Sequence, residues 1–129
     1  MSLKKLNEIV TKQRANHSEA REAIYTILLK SKDVLSVADM SALLTKNYAK
    51  KISQNTLYRH LNFFSDNNLV IVLQDQQKRA YYYINNEECP CFRVCSKCNL
   101  IKKLDKPIGL HEINKECDYV TIHHKCKMC

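Results

Sequence analysis

The sequence predicts an α+β protein: an N-terminal winged helix-turn-helix followed by a small C-terminal α/β unit with a four-cysteine metal site. Three observations carry this. Helical periodicity in the first half gives way to two β-prone runs around a polar loop. All seven cysteines lie between Cys89 and Cys129. The formal net charge is +8, with basic residues in excess both before and after the first cysteine. The step in composition near Asn85-Asn86-Glu87-Glu88 divides the chain into units of residues 1–86 and 87–129.

The helices announce themselves by stripe and cap. Leu3, Leu6, Ile9 and Val10 form one face of an opening helix. Ser18 is an N-cap candidate for a helix with Ile24, Ile27 and Leu28 at i, i+3, i+4. Ser36-Val37-Ala38-Asp39 resembles a capping box with Asp in place of Glu, and Met40, Leu43 and Leu44 supply the following stripe. Ser53 opens another helix, with Leu57, Leu61 and Phe64 on its apolar side and Asp66-Asn67-Asn68 as its stop. The period then changes. Leu69–Leu73 and Ala80–Ile84 read as strands joined by the polar Gln74–Lys78 loop, which is a hairpin and hence a wing.

The segment Ser53–Phe64 has the make-up of a DNA-reading helix. Opposite its apolar stripe stand Gln54, Asn55, Tyr58, Arg59 and Asn62. Asn and Gln can bond adenine edges in bidentate fashion, and Arg can bond guanine or phosphate. Tyr58 can set its ring against a thymine methyl or its hydroxyl on a phosphate. Lys50 and Lys51 upstream, with Lys78 and Arg79 in the wing, would straddle the phosphates. The plainer reading, a solvated polar face, is weakened by the wing that follows and by the net charge of +8. His60 lies beside the apolar stripe and reads as a packed residue rather than a ligand.

Composition removes other classes. No apolar stretch approaches the roughly 20 residues a spanning helix needs, so no membrane partner is expected. The start has no apolar run after its lysines, and the expectation is a cytoplasmic protein. One glycine leaves no glycine-rich phosphate loop.

In the second half, Cys95-Ser96-Lys97-Cys98 and Cys126-Lys127-Met128-Cys129 are two C-x-x-C pairs with 27 residues between them. Two such knuckles complete the tetrahedral S4 set preferred by structural zinc. Binding on the order of 10–16 kcal/mol would then be folding energy for a unit with little core. Leu100-Ile101 and Tyr119–Ile122 are strand-like and would bring the knuckles together.

Asn55-Thr56-Leu57-Tyr58-Arg59-His60-Leu61, followed by Asn67-Asn68-Leu69-Val70, resembles the recognition helix and turn of the ferric uptake regulator family. The paired cysteines resemble those of the same family, and the similarity runs from about Ser18 to Cys129. The resemblance implies a homodimeric winged-helix repressor, with Tyr58 and Arg59 on DNA and residues 87–129 as the dimerisation domain. It further implies a two-fold related, palindromic operator and a metal or redox event that biases the spacing of the two recognition helices.

The resemblance also implies a sensing site between the domains. Its ligands would be a His before the second helix, an acidic residue ending the wing, and a His-rich run before the first C-x-x-C. Here those positions read Val34-Leu35, Tyr82-Tyr83 and Cys89-Pro90-Cys91-Phe92, without the expected ligand types. Cys89, Cys91, Cys117, His111, Glu112, His123 and His124 remain as alternative ligands. A Cys-x-Cys pair favours zinc, cuprous copper or oxidation chemistry over ferrous iron or manganese. A second regulatory metal, a peroxide switch and, through Cys89-Pro90, haem all stay open.

An enzyme is not expected. Four thiolates leave no open zinc position, and neither H-E-x-x-H nor H-x-E with P-C-x-x-C is present. The competing readings are a thiol redox module and a zinc ribbon that binds protein or RNA.

Overall fold

The computed structural model describes residues 6–9, 19–48, 52–86, 90–104 and 119–124. Residues 6–9 are helical and Leu6 is fully buried, whereas Leu3, Val10 and Ser18 lie outside the described residues. Three helices follow: α1 (Glu19–Lys30), α2 (Val37–Tyr48) and α3 (Gln54–Asp66). Six strands complete the described fold: β1 (Leu35–Ser36), β2 (Val70–Gln74), β3 (Ala80–Ile84), β4 (Cys91–Cys95), β5 (Ile101–Leu104) and β6 (Val120–His124).

The caps behave as their residues dictate. Ser36 Oγ accepts the Asp39 N–H and Asp39 Oδ2 accepts the Ser36 N–H, both at 3.1 Å, so Asp serves in a capping box as Glu usually does. Ser53 Oγ accepts the Thr56 N–H at 3.2 Å and opens α3. At the other end Asn68 adopts φ 58°. The Leu69 N–H then reaches the Phe64 carbonyl at 2.9 Å and the Asn68 N–H reaches that of Ser65 at 3.1 Å. This is a Schellman turn, completed by the burial of Leu69 with Phe64. Because Leu69 is used in the turn, β2 begins at Val70, and the strand and loop expected from sequence move one residue along.

β2 and β3 pair antiparallel from Val70↔Ile84 to Gln74↔Ala80. The two-residue β1 adds to the far side of β3 through Leu35↔Tyr82, giving the order β1-β3-β2. Such a short strand has too few residues to show a period, so nothing in the sequence announces it. The second sheet has the order β5-β4-β6. β4 and β5 form an antiparallel hairpin around the first C-x-x-C, and β6 runs parallel to β4 with Cys95 opposite His124.

The two sheets share no strand, yet one contiguous apolar cluster runs through both. Ile24, Leu28, Met40, Leu44, Leu57, Leu61 and Phe64 form its helical part, and Ile71, Leu73, Tyr82 and Ile84 its wing part. Phe92, Val94 and Ile101 extend it into the second sheet. No described helix is long and apolar enough to cross a membrane.

Candidate nucleic-acid interface and metal centre

Helical geometry divides α3 into two faces. Leu57, Leu61 and Phe64 are buried, with His60 among them at 5% exposure, as the sequence suggested for that residue. Gln54, Asn55, Tyr58, Arg59 and Asn62 are all exposed on the other side, Tyr58 at 43%. A shallow groove of about 480 Å³ runs along this side, bordered by Asn55, Tyr58, Arg59, Asn62 and, from α1, Arg21. The Arg21 guanidinium lies 4.3 Å from the centroid of the Phe63 ring, a cation–π contact that ties α1 to α3.

Sequence reasoning passed over Arg21. One signal was available: a basic residue in the first turn of a helix opposes the helix dipole, and its neighbours Glu19 and Glu22 obey the rule it breaks.

His60 sits beneath this groove with its Nδ1 buried and without a hydrogen-bond partner. Burial, followed by the positive charges of Arg21 and Arg59, pushes its pKa below the ordinary imidazole value. Its charged form is thereby disfavoured, so the positive charge along the groove comes from Arg21 and Arg59, with Asp66 also at its border.

The wing is organised by Asp75, which sequence reasoning treated only as loop. Its side chain is fully buried. Oδ1 accepts the N–H groups of Gln77 at 2.8 Å and Arg79 at 3.0 Å, while Oδ2 accepts from Arg79 Nε at 2.8 Å and from the Tyr81 hydroxyl at 3.3 Å. Burial alone would raise this carboxyl, but the Arg79 amide, its guanidinium and the Gln77 amide together hold it below the usual range. Arg79 is consequently a fixed charge: Nε is engaged while the side chain stays 58% exposed. Lys78 is exposed at the turn with φ 64°. Lys50 and Lys51, expected on the phosphates, lie outside the described residues.

Of the four paired cysteines, Cys95 and Cys98 are described. Cys95 is buried at the end of β4 and Cys98 is exposed in the following turn, its N–H donating to Cys95 Sγ at 3.4 Å. Asn99 closes the turn at φ 64°, with its N–H on the Cys95 carbonyl at 3.0 Å. An amide directed at a sulfur favours the thiolate that a metal requires. Cys126 and Cys129 lie outside the described residues, two and five positions beyond His124, whose backbone pairs with Cys95.

Of the remaining sulfur and imidazole candidates, the side chains of Cys91 and His123 are described, and these two are not gathered into one group. Cys91 is 3% exposed on β4, and His123 is exposed on β6, where Thr121 Oγ1 lies 3.4 Å from its Nε2. The parallel register sets Cys91 against Val120 and Val94 against His123. Three positions along a strand is an odd number, so Cys91 and His123 face opposite sides of the sheet, which among the alternatives favours His124 as a partner of Cys91. Cys89, His111, Glu112 and Cys117 lie outside the described residues, and His124 is placed by its backbone alone. No three His, Cys, Asp or Glu side chains converge among the described residues.

A helical pair leading into an exposed, capped recognition helix and a wing defines a DNA-binding winged-helix protein. The ferric uptake regulator family model matches residues 12–129, and the chain belongs to that family. It is thus a DNA-binding transcriptional regulator and not an enzyme.

Solved structures agree on the fold. The Helicobacter pylori ferric uptake regulator, described with three functional metal binding sites, is 21% identical and superposes with a TM-score of 0.78 over 98% of this chain and 90% of its own. The Francisella tularensis ferric uptake regulator with iron is 26% identical, with a TM-score of 0.68, covering 88% of this chain and 93% of that one. A zinc uptake regulator complexed with zinc and DNA is 15% identical, with a TM-score of 0.58, over 98% and 91%. Among curated protein sequences none matches significantly.

Proposed function

We propose that the chain is a cytoplasmic, homodimeric repressor that reads a two-fold related, palindromic operator in duplex DNA. In this reading residues 1–86 bind DNA and residues 87–129 pair the two subunits. Gln54, Asn55, Tyr58, Arg59 and Asn62 enter the major groove, and Lys50, Lys51, Lys78 and Arg79 hold the phosphates. The observation that carries it is α3 itself, whose apolar side is buried while its hydrogen-bonding side stands exposed beside a wing with a fixed arginine. The zinc uptake regulator with DNA supports it by likeness of fold.

Cys95, Cys98, Cys126 and Cys129 would hold a structural Zn²⁺. The ion supplies a cross-link between the β4–β5 hairpin and the chain beyond β6, a tie that so small a sheet cannot make from apolar contacts. The amide directed at Cys95 Sγ supports this donor set. An effector, metal or redox, would act through the other thiols: Cys91 with Cys89 and Cys117, joined by His111 or His124. Burial raises the Cys91 thiol, which disfavours the thiolate that both metal ligation and oxidation require, so an effector would have to supply the charge that draws its proton away.

The test is footprinting on genomic fragments selected by the purified protein. A palindromic protected site, bound by a dimer, is the expected outcome. Binding without site preference, or preference for RNA, would instead support the zinc-ribbon interaction module.

A further inference from the structure

Members of this fold are described with iron, manganese and zinc, and the resemblance places a sensing metal between the DNA-binding unit and the second sheet. Among the described residues at that junction, Val34, Tyr83, Pro90 and Phe92 do not fit a metal. Val34 and Pro90 are buried and carry no donor, and Tyr83 meets Phe92 edge to face at 5.3 Å. Phe92 is fully buried and also contacts the Tyr119 ring at 6.2 Å. Asp33, a described carboxylate at this junction, is engaged by the backbone: Oδ1 accepts the Val34 N–H and, from β5, the Lys103 N–H, both at 2.8 Å. A divalent ion needs several N, O or S donors converging on one point, and the described residues of this junction offer stacked rings instead.

We propose that this junction is locked by the chain's own side chains, the Tyr83–Phe92 pair and the Asp33–Lys103 hydrogen bond, so that the closed arrangement does not depend on a labile metal. Each lobe contributes to each contact. Asp33 follows α1 and Tyr83 ends the wing, while Phe92 and Lys103 belong to β4 and β5. Lys103 reinforces the pair, its ammonium 5.7 Å from the Tyr83 ring centroid. At the wing tip the Gln76 N–H reaches Asn99 Oδ1, beside the Cys95–Cys98 turn, at 3.4 Å. A ligand shifts a conformational equilibrium only by its differential affinity for the two states. Where packing already fixes the closed state, an added ion has little left to shift.

Cys91, next to Phe92 in β4, points to the opposite face of the strand, away from the Tyr83–Phe92 contact.

The DNA arm of the test rests on the proposed function, and the shape arm does not. The full chain, carrying its thiolate-bound zinc, is freed of labile ions with a weak chelator. Small-angle scattering and operator binding are then measured before and after addition of Mn²⁺, Zn²⁺ and, anaerobically, Fe²⁺. The expected result is a distance distribution unchanged by each ion, whether or not an ion held by the thiols alters operator affinity. Asp33→Ala, which leaves the apolar core intact, and Phe92→Leu, which keeps most of the volume, should each broaden the distribution. A wild-type distribution that contracts on metal addition would overturn the inference. So would variants whose distribution matches the wild type. A metal-indifferent shape with no DNA binding at all would support the lock and overturn the proposed function alone.

Discussion

Asp75 Oδ2 lies 2.8 Å from Arg79 Nε, and this contact converts a flexible wing arginine into a charge at a set position. The same carboxylate accepts two backbone amides of the loop, so wing shape and arginine direction depend on one residue.

Replacing Arg79 with Ala should lower the slope of log affinity against log salt by about one, the signature of one lost phosphate contact. Asp75→Asn should weaken operator binding while retaining most of that slope, because the charge remains but its direction is lost. Salt titrations of binding by both variants make the comparison.

Acid should spare the wing until the pH falls below the ordinary carboxylate value. The folded carboxyl of Asp75 lies below its unfolded value of about 3.9. Its stabilisation is therefore present in full above that pH and is lost as pH falls through the folded value. Hydrogen exchange at the Gln77 and Arg79 amides, followed from neutral pH to about 4, should show protection persisting throughout the range, and loss of protection within it would contradict the assignment.

His60 predicts sensitivity at milder pH. Its folded pKa is lowered, so below an unfolded value of about 6.5 the unfolded chain binds more protons than the folded one. Stability contributed by the neutral ring should be complete above that value and decline as pH falls through it towards the folded pKa. His60→Leu removes both the proton and an unpartnered buried nitrogen. The melting temperature of the variant should match or exceed the wild type at pH 7 and fall less between pH 7 and 5.

Arg59→Ala should reduce operator affinity by about 1–3 kcal/mol and relax preference at one base pair if the guanidinium reads a base. Selection of binding sites with the variant protein checks both effects. Uniform loss across sequences, with a smaller salt slope, would assign Arg59 to phosphate.

Cys98→Ser should abolish stoichiometric zinc and leave the second sheet unprotected in hydrogen exchange, because the ion replaces core in that unit. Elemental analysis of the wild type should give at least one zinc per chain. A variant that keeps its zinc would exclude Cys98 from the ligand set.

Much of this was legible in the sequence because it is local. A capping Ser53, an i, i+4, i+7 stripe of Leu57, Leu61 and Phe64, and an Asn67-Asn68 stop depend on neighbours within a few residues, and they define α3 and its exposed face without reference to the rest of the chain. The hairpin and the clustering of cysteines are local in the same sense. Contacts between distant segments were not legible. The parallel pairing of β6 with β4, which sends Cys91 and His123 to opposite faces, depends on register across 28 residues of chain. The stack of Tyr83 on Phe92, the bridge from Asp33 to Lys103 and the seat of Arg21 on Phe63 likewise join residues whose own neighbours say nothing of the partner. A side chain's sequence neighbours determine its helix, strand or turn; only the folded chain determines which surfaces meet, because burial of apolar area has no preferred direction and must be resolved by the packing of the whole.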